Sequence, residues 1–133
     1  LRADTRPSRP RDGAEGMKLP MNPYYDNEKL ELDCLSFDEP DMSHESNTLC
    51  FWATKDGQIY TAQDSGCSCP TPFEDRHDRE TRDEVIQTLE RVGSVEQAES
   101  IFDSWNKNYD GKPHLSADKR RELSAWVAER IKS

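Results

Sequence analysis

The chain has 133 residues, enough for one domain with a modest core, and its 34% charged against 32% hydrophobic residues leave part of it too polar to pack. Its net charge of −9 repels a phosphate backbone, which excludes ordinary nucleic-acid binding through a basic face. No apolar run approaches the ~20 residues that a membrane span requires, so no membrane partner is expected.

The charge is unevenly spread. Residues 1–18 carry five bases and three acids with Pro7, Pro10, Gly13 and Gly16 among them, and they read as a disordered basic tail. Met17 makes a more natural start than Leu1, so residues 1–16 read as a non-native segment or an upstream extension. Residues 26–85 hold sixteen acids against five bases, whereas 86–133 balance eight against eight. A single domain is expected over residues 24–133.

In chain order, Leu30 to Cys34 alternates apolar and polar as a half-buried strand does, with a phase slip at Leu35 and Phe37 that predicts a bulge or strand end near Cys34. After the acidic loop 38–47, Thr48–Thr54 and Gln58–Ala62 are rich in β-formers around Lys55-Asp56-Gly57. An Asp-Gly pair suits a two-residue type I′ hairpin. That register sets Thr54 opposite Ile59 and Trp52 opposite Thr61. It groups Leu49, Phe51, Ala53, Tyr60 and Ala62 on the apolar face and leaves Cys50, Trp52 and Ile59 on the other. Trp52 then either meets a partner or lies under a helix or a third strand, and it is the candidate contact residue.

Residues 64–78, "DSGCSCPTPFEDRHD", form a fixed loop, because Pro70 and Pro72 remove amide donors and hold their predecessors extended. Helices follow. Thr81 with Glu84 makes a capping box before the stripe Val85, Ile86, Leu89, Val92, with Gly93 as its stop. Ser94 with Gln97 repeats the device before Val95, Ala98, Ile101, Phe102 and Trp105. A third helix starts after Ser116, with Leu123, Trp126, Val127 and Ile131 inward. Strands first and helices after predict an α+β fold: a small antiparallel sheet, the hairpin plus one or two further strands, followed by three packed helices.

The run from Phe51 to Asp75 carries Trp52, Asp56-Gly57, Ile59-Tyr60 and the box Gly66-Cys67-Ser68-Cys69-Pro70-Thr71-Pro72-Phe73-Glu74. This run resembles a family of small proteins of unknown function encoded by bacteriophages of actinobacteria, whose shared signature ends in a GCSCPxPFE box. The resemblance is close over about 25 residues. It implies a viral gene product acting in a bacterial host cytoplasm, and it brings no reaction, ligand or catalytic residue with it. Trp52, Cys67, Cys69, Pro70, Pro72, Phe73 and Glu74 are the candidate binding residues.

The four cysteines leave several states open. Buried free thiols in a reducing compartment are favoured. Zinc held by Cys34, Cys50, Cys67 and Cys69, with His44 or His77 as substitutes, is the alternative, although one Cys-x-Cys and two isolated cysteines depart from paired knuckles. A bridge from Cys50 to Cys67 or Cys69 is easier to close than one between Cys67 and Cys69. A catalytic thiol is not expected, since Asp64, Glu74 and Asp75 surround the box and no base-orienting residue can be named.

Asn106, Asn108 and Asp110, with Gly111 after them, match the start of a calcium loop. Pro113 and Ala117 stand where its later ligands belong, so an inter-helix turn is expected instead. The function expected is that of a small non-enzymatic phage accessory protein that binds a host or phage protein. Acidic mimicry of nucleic acid toward a basic protein is a further alternative.

Overall fold

In this computed structural model, residues 20–40, 45–67, 73, 77–107 and 111–131 are described. The basic tail, His44, Cys69, Pro70, Pro72, Glu74, Asn108 and Asp110 lie outside the described residues. Strands β1 (Asp33–Asp38), β2 (Glu45–Ala53), β3 (Ile59–Cys67) and β4 (Glu90–Val92) form one antiparallel sheet in the order β1-β2-β3-β4. Helix α1 (Arg82–Gln87) precedes β4, and α2 (Val95–Trp105) and α3 (Ala117–Arg130) follow it. The architecture is α+β.

Both faces of the sheet are covered, which is why Leu49 through Ala53 reads as one apolar run and not as an alternation. On one face Phe37, Leu49, Phe51, Ala53, Ile59 and Val92 pack against Ala98, Phe102 and Trp105 of α2 and Leu123 and Val127 of α3. On the other, Cys50 and Trp52, joined by Cys34, Tyr60 and Ala62, pack under Leu30, Leu32, Phe73 and the α1 residues Val85 and Ile86.

The hairpin register differs from expectation by one residue. Ala53 pairs with Ile59, Trp52 with Tyr60 and Phe51 with Thr61. The amide of Gly57 donates to Thr54 O at 3.0 Å and that of Thr54 to Gln58 O at 2.9 Å, and of the loop residues only Gly57 has a positive φ, 87°. These features define a three-residue loop closed by a glycine bulge, in place of a two-residue turn. A one-residue slip reverses every side chain of β3. Ile59 and Thr61 therefore join Leu49 and Phe51, while Tyr60 and Ala62 join Cys50 and Trp52.

Two further corrections follow from tertiary pairing. Leu30 and Leu32 are buried but belong to a helical turn and not to a strand: the amide of Leu32 donates to Asn27 O and that of Glu31 to Glu28 O. Glu31, at φ 58°, occupies the left-handed position that ends such a turn and that usually holds glycine. Likewise α1 ends at Gln87, and Val92 lies in β4 opposite Ile59, so it does not complete a helical stripe.

The helix N-caps Thr81 and Ser94 form where expected, although the Gln97 side chain accepts from Gly93 N and so leaves the second box half made. Thr81 and Glu84 form the reciprocal box of α1, and Ser94 Oγ accepts from Gln97 N at 3.0 Å. Asn106 closes the turn between α2 and α3 by donating to Leu115 O at 3.1 Å and accepting from Leu115 N at 2.8 Å. Its side chain is thus spent on the turn, as an inter-helix connection requires.

Candidate functional site

Trp52, at 0% exposure, lies in the core and offers no contact surface. Its indole donates to Pro23 O at 2.9 Å, the partner that a buried indole N–H needs. Met21 pairs with Arg79, and Asn22 Nδ2 donates to Asp78 at 2.7 Å. The packed chain therefore reaches back to Met21, and residues 21–32 with α1 form one layer over the sheet.

Phe73 is the described residue of the "CPTPFE" run, and it is fully buried. Its ring meets Trp52 edge to face at 5.6 Å and His77 at 5.3 Å. Its φ of 65° is strained for a residue with a Cβ, and its amide is held by Asp64 Oδ2 at 3.1 Å. His77, also buried, has Nδ1 2.9 Å from Thr88 Oγ1. That hydroxyl donates to Val85 O at 2.6 Å, so Nδ1–H is the donor toward it.

The register brings together two thiols that sequence reasoning did not pair. Cys34 stands opposite Trp52 and Cys50 opposite Ser36, which makes the cysteines diagonal neighbours on one face of the sheet. The Cys50 thiol donates to the Cys34 sulfur and draws the Cys34 pKa down, while burial pushes the Cys50 thiol far up. Cys50 is sealed at 0% exposure, whereas Cys34 is half-buried. Cys34 lines a cleft of about 550 Å³, together with Glu31, Asp33, Lys55, Trp126 and Arg130. Arg130 lies over the Trp126 ring at 4.7 Å and 3.3 Å from Asp33.

Cys67 is elsewhere. It pairs with Glu45, while Ala62 faces Cys50. The five residues from Ala62 to Cys67 span about 16 Å of strand. Of the set Cys34, Cys50, Cys67 and Cys69, the side chains of Cys34 and Cys50 are described. Among the described residues no group of three or more His, Cys, Asp or Glu is placed to hold a metal ion.

The two covering layers differ in how their acids are used. On α2 and α3, Arg120 pairs with Glu99 and Asp103, Arg121 with Asp118, Lys119 with Glu122, and Arg130 with Glu129. In the opposite layer, Glu28 and Glu31 of the turn and Glu80 and Asp83 of the α1 entry are exposed and, among the described residues, make no ion pair. The basic Arg82 of that layer is turned inward instead, its Nε 2.6 Å from Leu30 O. Tyr25, 57% exposed, projects from the same layer.

These features define a small α+β protein with an acidic layer and a thiol-lined cleft, and no helix among the described residues is long and apolar enough to cross a membrane. The chain belongs to the family of the domain of unknown function DUF7574, matched over residues 21–132. No curated protein and no solved structure matches it.

Proposed function

We propose that this is a small non-enzymatic accessory protein that acts by binding another protein, and that the layer formed by residues 21–32 and α1 is the contact surface. One observation carries this reading: Glu28, Glu31, Glu80 and Asp83 stand exposed without ion pairs in the layer from which Tyr25 projects, while on α2 and α3 every acid but Glu96 is in an ion pair. Like charges held in one layer repel one another, and a basic partner relieves that repulsion. An exposed tyrosine among them supplies the apolar anchor that such contacts use.

The partner has a basic face of the kind that nucleic-acid-binding proteins present, so acidic mimicry is one form of this activity. The resemblance of the "GCSCPTPFE" run to actinobacteriophage proteins supports a phage origin and a partner in the bacterial host cytoplasm.

The test is an affinity capture from actinobacterial lysate with the wild type and with a Glu28→Lys, Glu31→Lys, Glu80→Lys, Asp83→Lys variant of matched thermal stability. A partner captured by the wild type, lost to the variant and weakened by added salt supports the reading. Equal capture by both proteins, or none by either, overturns it.

A further inference from the structure

Cys34 and Cys50 are arranged as an accessible thiol with a sealed thiol behind it. Cys34 opens on the cleft beside Lys55, Trp126 and Arg130, and Cys50 lies on the next strand with no exposure. Their diagonal placement across β1 and β2 puts their Cα atoms roughly 7–8 Å apart, just beyond what a disulfide ordinarily spans, so closure requires the backbone to move. Strand β1 is an edge strand and can yield, since β2 is its partner on one side and no described strand lies on the other. A bond closed under such strain is readily reduced again, which suits a reversible switch and not a permanent staple.

We propose that Cys34 and Cys50 form a peroxide-responsive dithiol switch that closes reversibly to a disulfide between β1 and β2. The Cys34 thiolate attacks hydrogen peroxide: an S–O bond forms, the O–O bond breaks, and the departing hydroxide takes the proton that Cys34 gave up and leaves as water. Cys50 then attacks the Cys34 sulfenic acid: an S–S bond forms, the S–O bond breaks, and the departing hydroxide takes the Cys50 proton. Two thiols and one peroxide become one disulfide and two waters. Cys50 lies diagonally across from Cys34 on the same face of the sheet, which is the proximity the second step needs. Closure pulls the Asp33–Cys34 wall of the cleft toward β2 and changes the shape that the cleft offers.

The experiment treats the full chain with hydrogen peroxide, alkylates the remaining thiols and maps them by mass spectrometry. Cleavage after Glu45 and Lys55 places Cys34 and Cys50 on separate peptides and keeps Cys67 and Cys69 apart from both. The expected result is a loss of about 2 Da with a Cys34–Cys50 linked peptide pair, reversed by dithiothreitol. In Cys50→Ala, Cys34 stops as a sulfenic acid that dimedone traps. If both cysteines still alkylate, if Cys34 passes to sulfinic acid without a linked pair, or if the bond found joins Cys67 and Cys69 alone, the switch is refuted. The wild-type map decides the matter even where the variant folds poorly.

Discussion

Phe73 is the point at which the "CPTPFE" run meets the core, and it combines two features whose effects separate cleanly under mutation. Its ring is fully buried against Trp52, Tyr24 and His77, with ring centroids 5.6, 6.1 and 5.3 Å away. Removing such a ring costs about 3–5 kcal/mol, so Phe73→Ala is expected to be destabilised by ~4 kcal/mol. That is a large share of the roughly 5–15 kcal/mol that holds a small domain folded. The backbone supplies the second feature. At φ 65° any residue with a Cβ carries strain of ~1–2 kcal/mol, and alanine retains it.

Phe73→Gly loses the same ring but relieves that strain, and it surrenders only about 0.5–1 kcal/mol to the greater freedom of the unfolded chain. The glycine variant should therefore be more stable than the alanine variant by roughly 0.5–1 kcal/mol, the reverse of the usual order. Urea unfolding of the three proteins reads both differences. The Asp64 bond to the residue-73 amide is common to all three, so it cancels. A cost below about 1.5 kcal/mol for Phe73→Ala would show that the ring is not an anchor. A glycine variant less stable than the alanine variant would refute the left-handed backbone.

The same reasoning predicts that Glu31→Gly, at φ 58° on an exposed turn, raises stability by about 0.5–1 kcal/mol in urea unfolding; a loss of stability would contradict the turn geometry. Stability should also fall above about pH 8.5, where the unfolded Cys50 thiol releases its proton while burial keeps the folded one protonated. The unfolded chain then binds fewer protons, so the contribution of Cys50 is whole below that pH and drains as pH rises, by up to ~1.4 kcal/mol per pH unit. Cys34 is shifted the other way: its contribution is present above that pH and is lost as pH falls through its lowered folded value. Unfolding measured from pH 7 to 10 in Cys50→Ala should lack the alkaline fall; an unchanged profile would locate the effect in other groups.

What the sequence made legible was local. The caps Thr81 with Glu84 and Ser94 with Gln97 are set by spacing within one turn; the first forms its full reciprocal box, while in the second Ser94 caps Gln97 N and the Gln97 side chain accepts from Gly93 N in place of the Ser94 amide. The inward stripe of α2 holds because Ala98, Phe102 and Trp105 recur at the helical period. Pairing was not legible in the same way. Lys55-Asp56-Gly57 serves a two-residue turn or a three-residue bulged loop equally well, and only the whole sheet selects the second. Val92 fits the period of the α1 stripe, yet the open edge beside Ile59 claims it for β4. No sequence signature marks Glu31 or Phe73 as left-handed, since glycine is the residue that usually advertises that backbone.

The pairing of β1 with β2 is also what brings the thiol pair together. Fifteen residues separate Cys34 from Cys50 in the chain, and nothing about that spacing brings them together. Their contact exists because β1 runs antiparallel to β2 with Ser36 opposite Cys50, a fact of the sheet and not of any motif. Strand β3 carries the backbone of Cys67 five residues, about 16 Å, beyond Ala62, which faces Cys50. A thiol near its neighbour in sequence is conspicuous, whereas a thiol brought to its neighbour by strand pairing sits in a protein-made environment that shifts both acidities in opposite directions. For the proposed switch the second arrangement matters more, because it pairs a half-buried thiol on the cleft with a sealed thiol behind it.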